Sequence, residues 1–169
     1  MSVDAILLAG GRASRVDGAT KPLFEVHGIT LLDAAIGAVR SRGAQRIVVA
    51  APALADDLDV EWAREDPPFG GPVAAIVAAL TRVRADEVFV LACDLPTARA
   101  AVGLLPDELA PDIDGACLDD GRRQRLIGRY RAAALREAAS GLPEKGRDAS
   151  MRALLGGLRR AEGSLRPRV

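Results

Sequence analysis

Apolar and polar positions alternate in two different patterns along the chain. Short runs of branched aliphatic residues are almost continuously apolar, which is typical of strands buried on both faces of a parallel sheet. Between these runs, apolar residues recur every three or four positions, as they do on the buried face of a helix. Strands are predicted at residues 4–9 (DAILLA), 46–51 (RIVVAA) and 87–93 (EVFVLAC).

The segments between the runs predict helices with recognisable ends. Thr30 and Asp33 have the spacing of a capping box, and Gly43 provides a stop for the first helix. Pro72 suits the first turn of the second helix. The apolar faces consist of Leu32, Ala35, Ile36 and Val39 in the first helix, of Val73, Ile76, Val77, Leu80 and Val83 in the second, and of Met151, Leu154, Leu155 and Leu158 in a later one.

This alternation of strands and helices predicts an α/β fold. Crossovers between parallel strands are almost always right-handed, and their helices cover both faces of the sheet. We therefore expect a three-layer α/β/α sandwich that is Rossmann-like and has a mostly parallel sheet. Residues 1–169 contain no internal repeat and no low-complexity linker, which predicts a single domain.

The ends of the predicted strands indicate where a ligand binds. In open parallel sheets, ligands bind beyond the carboxyl ends of the strands. We expect three stretches to meet there: residues 9–22 (AGGRASRVDGATKP), residues 65–75 (EDPPFGGPVAA) and residues 92–96 (ACDLP).

The first of these stretches has the composition of an anion-binding loop. Gly10 and Gly11 allow backbone N–H groups to approach a phosphate, and Arg15 and Lys21 supply positive charge. The spacing does not match a P-loop, because two residues separate Gly18 from the lysine, and it does not match a dinucleotide fingerprint. The alternative is a surface loop whose cations are solvated.

Asp94 is the candidate metal ligand. It follows a predicted strand whose carboxyl end points towards the cationic loop, and a carboxylate in that place is suited to hold Mg²⁺ against phosphate oxygens. The alternative is that Asp94 caps a helix that starts near Pro96.

Composition limits the classes of partner that the protein can bind and the cellular compartment in which we expect it. The 169 residues carry 23 basic and 23 acidic side chains, and a formal net charge of zero argues against a nucleic-acid partner. The longest apolar run, residues 73–80, is far below the ~20 residues of a membrane span. Cys93 and Cys117 lack the spacing of a metal site, and the N-terminus has no basic leader. We therefore expect a cytoplasmic protein.

These motifs together resemble the molybdenum cofactor guanylyltransferases of the MobA type, a family of NTP transferases. Residues 7–23 (LLAGGRASRVDGATKPL) are similar to the family signature LAGGxSxRMGxxKxL. The segments FGGPVAAI, ACDLP, QRLIGRYR and SMRALL resemble the family's GPLAGI, C-D-x-P and QPLxALYR motifs and its late helix. The resemblance runs from about residue 4 to about residue 158, in the family's order.

The resemblance implies an activity, a cofactor and partners. A member of the family transfers GMP from GTP to the terminal phosphate of molybdopterin and releases pyrophosphate, with Mg²⁺ as cofactor. The implied partners are therefore GTP, molybdopterin and proteins that deliver the cofactor, without nucleic acid or membrane. We expect a monomer with the nucleotidyltransferase fold.

The resemblance also implies roles for individual residues. Arg15 and Lys21 match the cations that bind the β- and γ-phosphates, Asp94 matches the Mg²⁺ ligand, and these three form the catalytic set. Asp66 matches an acid near the nucleotide, and Gly71 matches a turn beside the ligand, although a plain helix cap is an alternative for Gly71. The full nucleotide-binding set is Leu8, Ala9, Gly10, Gly11, Arg15, Lys21, Asp66, Gly71 and Asp94.

Two further groups have an implied or predicted role. Cations of the strand QRLIGRYR and its preceding turn would meet the acceptor phosphate, with a solvated arginine-rich face as the alternative. His27 is predicted to lie in a turn and to be structural. The implied acceptor cations are Arg122, Arg123, Arg125, Arg129 and Arg131.

The sequence departs from the family pattern at four places, one of which is Thr20, where the family often has an acid before the lysine. Val16 and Asp17 replace a Met-Gly pair, and Pro52 stands where many members have an asparagine. The family's late strand and N-x-N-T-P segment are not found, so we expect that segment to be missing or short. These departures leave two alternatives: a cytidylyl- or sugar-phosphate nucleotidyltransferase of the same fold, and a non-catalytic nucleotide-binding accessory protein.

Overall fold

A central sheet of six strands organises the protein. The computed structural model describes residues 1–11, 15–16 (backbone only), 19–119 and 123–161. The sheet has the order β7-β6-β1-β8-β10-β9. The strands are β1 (Val3–Leu8), β6 (Ile47–Ala50), β7 (Glu61–Ala63), β8 (Glu87–Ala92), β9 (Gly115–Asp119) and β10 (Arg123–Arg131).

The sheet is mostly parallel, as predicted. The first predicted strand lies between the other two, and Ile6 pairs with Val48 on one side and with Val90 on the other. Strands β7, β6, β1 and β8 run parallel, and β10 runs antiparallel to both β8 and β9. We call the side where the parallel strands begin the amino edge and the side where they end the carboxyl edge.

Helices cover both faces of the sheet, which confirms the three-layer α/β/α fold. Helices α1 and α3 pack on one face through buried residues such as Leu32 and Val102. Helices α2, α4 and α5 pack on the other face through Ile76, Leu135 and Leu154. Their bounds are α1 (Leu31–Arg40), α2 (Gly71–Leu80), α3 (Ala98–Gly103), α4 (Ala132–Ser140) and α5 (Met151–Leu155).

The helix ends follow the local sequence. Thr30 is the N-cap of α1, and its hydroxyl oxygen accepts a hydrogen bond from the Asp33 N–H at 3.0 Å, which confirms that half of the predicted capping box. Helix α1 ends three residues before Gly43. Pro72 lies in the first turn of α2, where its missing N–H leaves no helical hydrogen bond unmade.

Two small hairpins follow the first strand. The first joins β2 (Arg15–Val16) to β3 (Ala19–Thr20), and the second joins β4 (Glu25–Val26) to β5 (Ile29–Thr30). His27 lies exposed in the turn of the second hairpin, at a φ of 54°, so the turn predicted there is found. Within the described ranges, no helix combines the length and apolarity needed to cross a bilayer.

The amino edge holds buried charges that are fully paired. Asp4 is 2% exposed, and its carboxylate accepts hydrogen bonds from the N–H groups of Arg46, Arg84 and Ala85 at 2.8–3.0 Å. Each of those N–H groups would otherwise lack a partner inside the protein, so the carboxylate fixes the turns before β6 and β8.

A second buried acid at the amino edge corrects one expectation about the arginines. Arg129 is 2% exposed, and its guanidinium pairs with the fully buried carboxylate of Glu87. Arg131 donates to backbone carbonyls of Ala110 and Ile113 at 2.8 Å. The expectation that Arg129 meets an acceptor phosphate or lies on a solvated face was therefore wrong. Its guanidinium is buried, and its charge is paired with the carboxylate of Glu87.

Candidate functional site

A cleft of about 630 Å³ opens at the carboxyl edge of the sheet. Its floor contains Leu8, Ala50 and Ala92, which are the last residues of β1, β6 and β8. The predicted meeting point of the three loop stretches is therefore where the cleft lies. The backbone N–H and C=O groups of the strands are hydrogen-bonded within the sheet. The loops at the carboxyl edge are therefore the part that can bind a ligand.

The two glycines after β1 line the cleft for different reasons. The Ala9 N–H donates to the Ala50 carbonyl at 3.3 Å, which draws this turn against the neighbouring strand. A Cβ on Gly10 would lie only 3.1 Å from the Ala50 oxygen, so a side chain there requires the neighbouring strand to give by a few tenths of an ångström. Gly11 has open space around it but a φ of +100°, a conformation that disfavours other residues. The result is a backbone surface without side chains at the end of β1.

The predicted phosphate-binding cations are placed only in part. Thr20 and Pro22 line the cleft, and Lys21 between them is half-buried and begins a 3₁₀ turn, Lys21–Leu23. Lys21 itself is not among the residues that line the cleft. The side chain of Arg15 lies outside the described residues, so its predicted role stays a prediction.

Asp94 lies at the carboxyl edge and lines the cleft with an exposed side chain. It does not cap a helix, because α3 begins at Ala98 and its N-cap position is Thr97. The residue before it, Cys93, is 1% exposed. Burial and then the charge of Asp94 raise the pKa of the Cys93 thiol. The border between core and cleft therefore falls between these two neighbours.

A wall of the cleft comes from the loop that leads into α2. Arg64, Glu65 and Phe69 line it, with the Arg64 guanidinium carbon 5.7 Å from the centre of the Phe69 ring. The Glu65 carboxylate accepts from the Gly70 N–H at 3.4 Å. Asp66 is exposed and precedes a cis peptide bond to Pro67. The cleft lining includes Glu65 but not the predicted Asp66.

The start of α2 completes this wall. Gly71 and Pro72 line the cleft as the first two residues of the helix. The N-cap position belongs to Gly70, so Gly71 is not the cap that the alternative interpretation assumed. Its predicted contact with a nucleotide stays a prediction.

Among the cleft residues that sequence reasoning missed, two come from a distant part of the chain. Arg147 and Asp148 reach it from the turn before α5. Arg147 Nη1 donates to the carbonyl oxygens of Pro67 and Pro68 at 3.1 and 3.4 Å, and the Asp148 N–H donates to the Gly70 carbonyl at 2.7 Å. About 80 residues separate the partners along the chain. The only local signal was a basic-acidic pair just before a predicted helix.

The remaining lining is apolar. Ala51, Pro52 and Leu54 follow β6 on one side, and Leu126 of β10 lies on the other. An apolar surface of this kind can pack against a planar ring, while polar groups elsewhere in the cleft fix the orientation of that ring. Pro52 thus lies at the cleft but offers no side-chain hydrogen bond.

The acids of the cleft have the chemistry that magnesium requires. Within the described ranges, no group of three or more His, Cys, Asp or Glu side chains forms a ready metal site. Mg²⁺ in NTP-using enzymes takes one or two carboxylates and completes its shell with water and substrate phosphates. Asp94 and Asp148 both line the cleft, so the oxygen donors present fit such an ion bound together with a nucleotide.

Comparison with known proteins decides the family. The model of the MobA-like NTP transferase domain matches residues 5–161. The chain belongs to the MobA-like NTP transferase domain family.

Individual relatives show how far the similarity extends. A molybdenum cofactor guanylyltransferase from Shewanella amazonensis is 32% identical over 99 residues, which cover 57% of this chain and 50% of that protein. A protein of the same name from Shewanella sp. strain MR-4 is 27% identical over 158 residues, covering 86% of this chain and 77% of that one. The chain thus spans half of the first relative and about three quarters of the second.

A solved structure supports the fold alone. Molybdopterin-guanine dinucleotide biosynthesis protein A from Archaeoglobus fulgidus superposes with a TM-score of 0.70 at 19% identity, covering 98% of this chain and 84% of that one. The nucleotidyltransferase fold expected from the motifs is therefore confirmed.

Proposed function

We propose that this protein transfers GMP from GTP to the terminal phosphate of molybdopterin. The observation that carries the proposal is the cleft at the carboxyl edge, which brings the glycine turn after β1 and the Asp94 carboxylate to one cavity. A volume of about 630 Å³ lies in the range of pockets for nucleotide-sized ligands. Family membership supports nucleotidyl transfer as the reaction class.

The reaction needs no covalent intermediate with the protein. An oxygen of the acceptor phosphate attacks the α-phosphorus of GTP and forms a new P–O–P bond. The bond from the α-phosphorus to the bridging oxygen of the β-phosphate breaks in line, and its electron pair leaves with pyrophosphate. Catalysis then rests on positioning and on charge stabilisation.

The predicted site residues have roles in this reaction. The backbone from Leu8 to Gly10 holds the guanine and ribose, and the turn at Gly71 approaches the same nucleotide. Arg15 and Lys21 neutralise the β- and γ-phosphates, and Asp66 accepts from donors of the nucleoside. Asp94 would hold Mg²⁺, which would supply charge neutralisation at the reacting phosphate.

The acceptor binds on the β10 side of the cleft. Of the arginines implied for it, Arg129 and Arg131 serve the amino edge, and Arg122 lies outside the described residues. Arg123 and Arg125 begin β10 just before the cleft residue Leu126. These two are therefore the acceptor cations that we retain.

A second candidate keeps the chemistry and changes the base. Pro52 lines the cleft where many family members have an asparagine, and a proline side chain cannot hydrogen-bond to guanine. A cytidylyl- or sugar-phosphate nucleotidyltransferase of the same fold would share the phosphate-binding residues and differ at this wall.

The first test is calorimetric titration of the purified chain with GTP, CTP, ATP and UTP, each with and without Mg²⁺. We expect GTP to bind selectively and Mg²⁺ to strengthen its binding. Selective CTP or UTP binding would support the second candidate. Binding of no nucleotide would contradict both enzymes and favour a non-catalytic accessory protein.

The second test concerns Asp94. Asp94→Asn should abolish the Mg²⁺-dependent part of GTP binding and lower kcat by roughly 10²–10³-fold, by analogy with other lost electrostatic stabilisers. Asp112→Asn is the matched control, because Asp112 is an exposed acid in the turn before β9 and away from the cleft. Equal Mg²⁺ dependence in the Asp94 variant and in the control would refute the role of Asp94.

A further inference from the structure

Arg147 is held in an unusual way for a cleft arginine. Its Nη1 donates to two backbone carbonyls, those of Pro67 and Pro68, and the next residue's N–H donates to the Gly70 carbonyl. Carbonyl oxygens are neutral, so these contacts orient the guanidinium without cancelling its charge. Side chain and backbone together fasten the turn before α5 to the loop before α2.

The packing at this junction fixes the guanidinium further. A Cβ on Gly70 would lie 3.4 Å from Arg147 Nη1 and 2.8 Å from the Ala74 methyl group, so the side chain fills the space that Gly70 leaves. An arginine positioned in this way loses less freedom when it binds a ligand than a mobile one does.

The other edge of the same guanidinium is uncommitted. Among the described residues, no hydrogen bond or ion pair engages Arg147 Nε or Nη2. These two nitrogens lie side by side on one edge of the plane, and they match two oxygens of one phosphate in a bidentate contact. A lysine at this position could not bond both the carbonyls and a phosphate with the same geometry.

The charged groups around the cleft bear on which ligand the Nε–Nη2 edge of Arg147 binds. The described lining has two cations, Arg64 and Arg147, and three acids, Glu65, Asp94 and Asp148. Arg64 lies over the Phe69 ring, whereas Arg147 shares its wall with Gly71 and Pro72 at the start of α2. The positive end of that helix adds to the attraction for an anion at this wall.

We propose that Arg147 is a substrate-binding residue whose Nε–Nη2 edge binds a phosphoryl group in the cleft, while its Nη1 holds the 67–70 loop in place. This inference rests on the proposed function, because a phosphoryl ligand is what a nucleotidyltransferase brings to this cleft. The phosphoryl group belongs either to the nucleotide or to the acceptor, and the two sources have different kinetic consequences.

The test compares three variants with the wild-type chain. Arg147→Ala removes both contacts, Arg147→Lys keeps the charge without the paired nitrogens, and Arg152→Ala removes an equal charge from an exposed position on α5. For each we would measure KM for GTP and for the acceptor, kcat, the affinity for inorganic pyrophosphate and for guanosine, and the melting temperature.

We expect Arg147→Ala to weaken phosphoryl binding by roughly 10- to 100-fold, the usual loss for a hydrogen bond to a charged group. Arg147→Lys should recover part of that loss, and Arg152→Ala should leave all values unchanged. Weaker binding of both GTP and pyrophosphate assigns the phosphoryl group to the nucleotide. A raised KM for the acceptor alone assigns it to the acceptor. Both results support the proposal.

Two outcomes would overturn it. Unchanged KM and pyrophosphate affinity in Arg147→Ala would show that the free edge binds nothing. A loss confined to guanosine, or to the melting temperature, would show that Arg147 only anchors the loop. If the wild-type chain itself binds no nucleotide, the proposed function is refuted. That result differs from an active wild type in which Arg147→Ala changes nothing, which refutes only the role of Arg147.

Discussion

The two edges of the sheet use charge in opposite ways. At the amino edge, the buried carboxylates of Asp4 and Glu87 are satisfied by backbone N–H groups and by Arg129. At the carboxyl edge, no hydrogen bond or ion pair with a described residue engages the exposed carboxylates of Asp94 and Asp148. Charges inside a protein must be paired, whereas charges in an open cleft stay available for a ligand. The difference teaches that pairing, more than charge itself, separates the structural acids from the candidate functional ones.

Of the changes predicted here, Glu87→Gln should have the largest effect on the stability of the protein. It leaves the guanidinium of Arg129 buried without a counter-charge, so the free energy of unfolding should fall by about 3–5 kcal/mol, measured by urea denaturation. Glu65→Gln is the matched control at the carboxyl edge, where a smaller change of less than about 1 kcal/mol is expected. Equal losses in the two variants would show that the edges do not differ.

The chain's two lysines test whether a charge near the carboxyl edge affects activity and leaves stability nearly unchanged. Lys21→Ala should lower kcat by roughly 10²–10³-fold, because a cation for the leaving phosphates is lost, while stability changes little. Lys145→Gln, in an exposed turn before α5, should leave kcat unchanged. Steady-state assays of folded protein decide this, and an unchanged rate in the Lys21 variant would refute the role.

A smaller effect is expected at the border between core and cleft. Burial and the charge of Asp94 raise the pKa of the Cys93 thiol above its usual value near 9. The folded protein therefore keeps a proton that the unfolded chain releases. Stability contributed in this way is complete below about pH 9 and falls by up to about 1.4 kcal/mol per pH unit above it.

Urea unfolding at pH 8, 9 and 10 measures that slope. Cys93→Ala should make the slope shallower, because the variant has no thiol to titrate at this position. The same slope in the variant and in the wild type would mean that other groups cause the alkaline loss.

The sequence predicted the parts of the fold that local patterns encode. Strands β1, β6 and β8 are continuous apolar runs, and α1 and α2 have clear faces and ends, so their pattern alone identifies them. Strands β7 and β9 escaped prediction, because Glu61–Ala63 is short and Gly115–Asp119 begins and ends with residues typical of turns.

The candidate site was predictable only where motifs carry it. The glycine turn and Asp94 follow predicted strands, which is where a ligand is expected in an open parallel sheet. Arg147 could not be found in that way, because its partners Pro67 and Pro68 are distant in sequence. Arg129 was misjudged for the same reason, since Glu87 lies 42 residues before it.

The paired glycines after β1 also constrain how this sequence can drift. Gly10 excludes a side chain because the next strand is too close, so a shift of that strand could in principle accommodate alanine. Gly11 has space around it and excludes a side chain through its own backbone angle, which no change in a neighbour relieves. The two adjacent glycines therefore differ in how a substitution can be compensated. A substitution of Gly10 can be rescued by a second mutation elsewhere, whereas a substitution of Gly11 can be relieved only by reversion at its own codon.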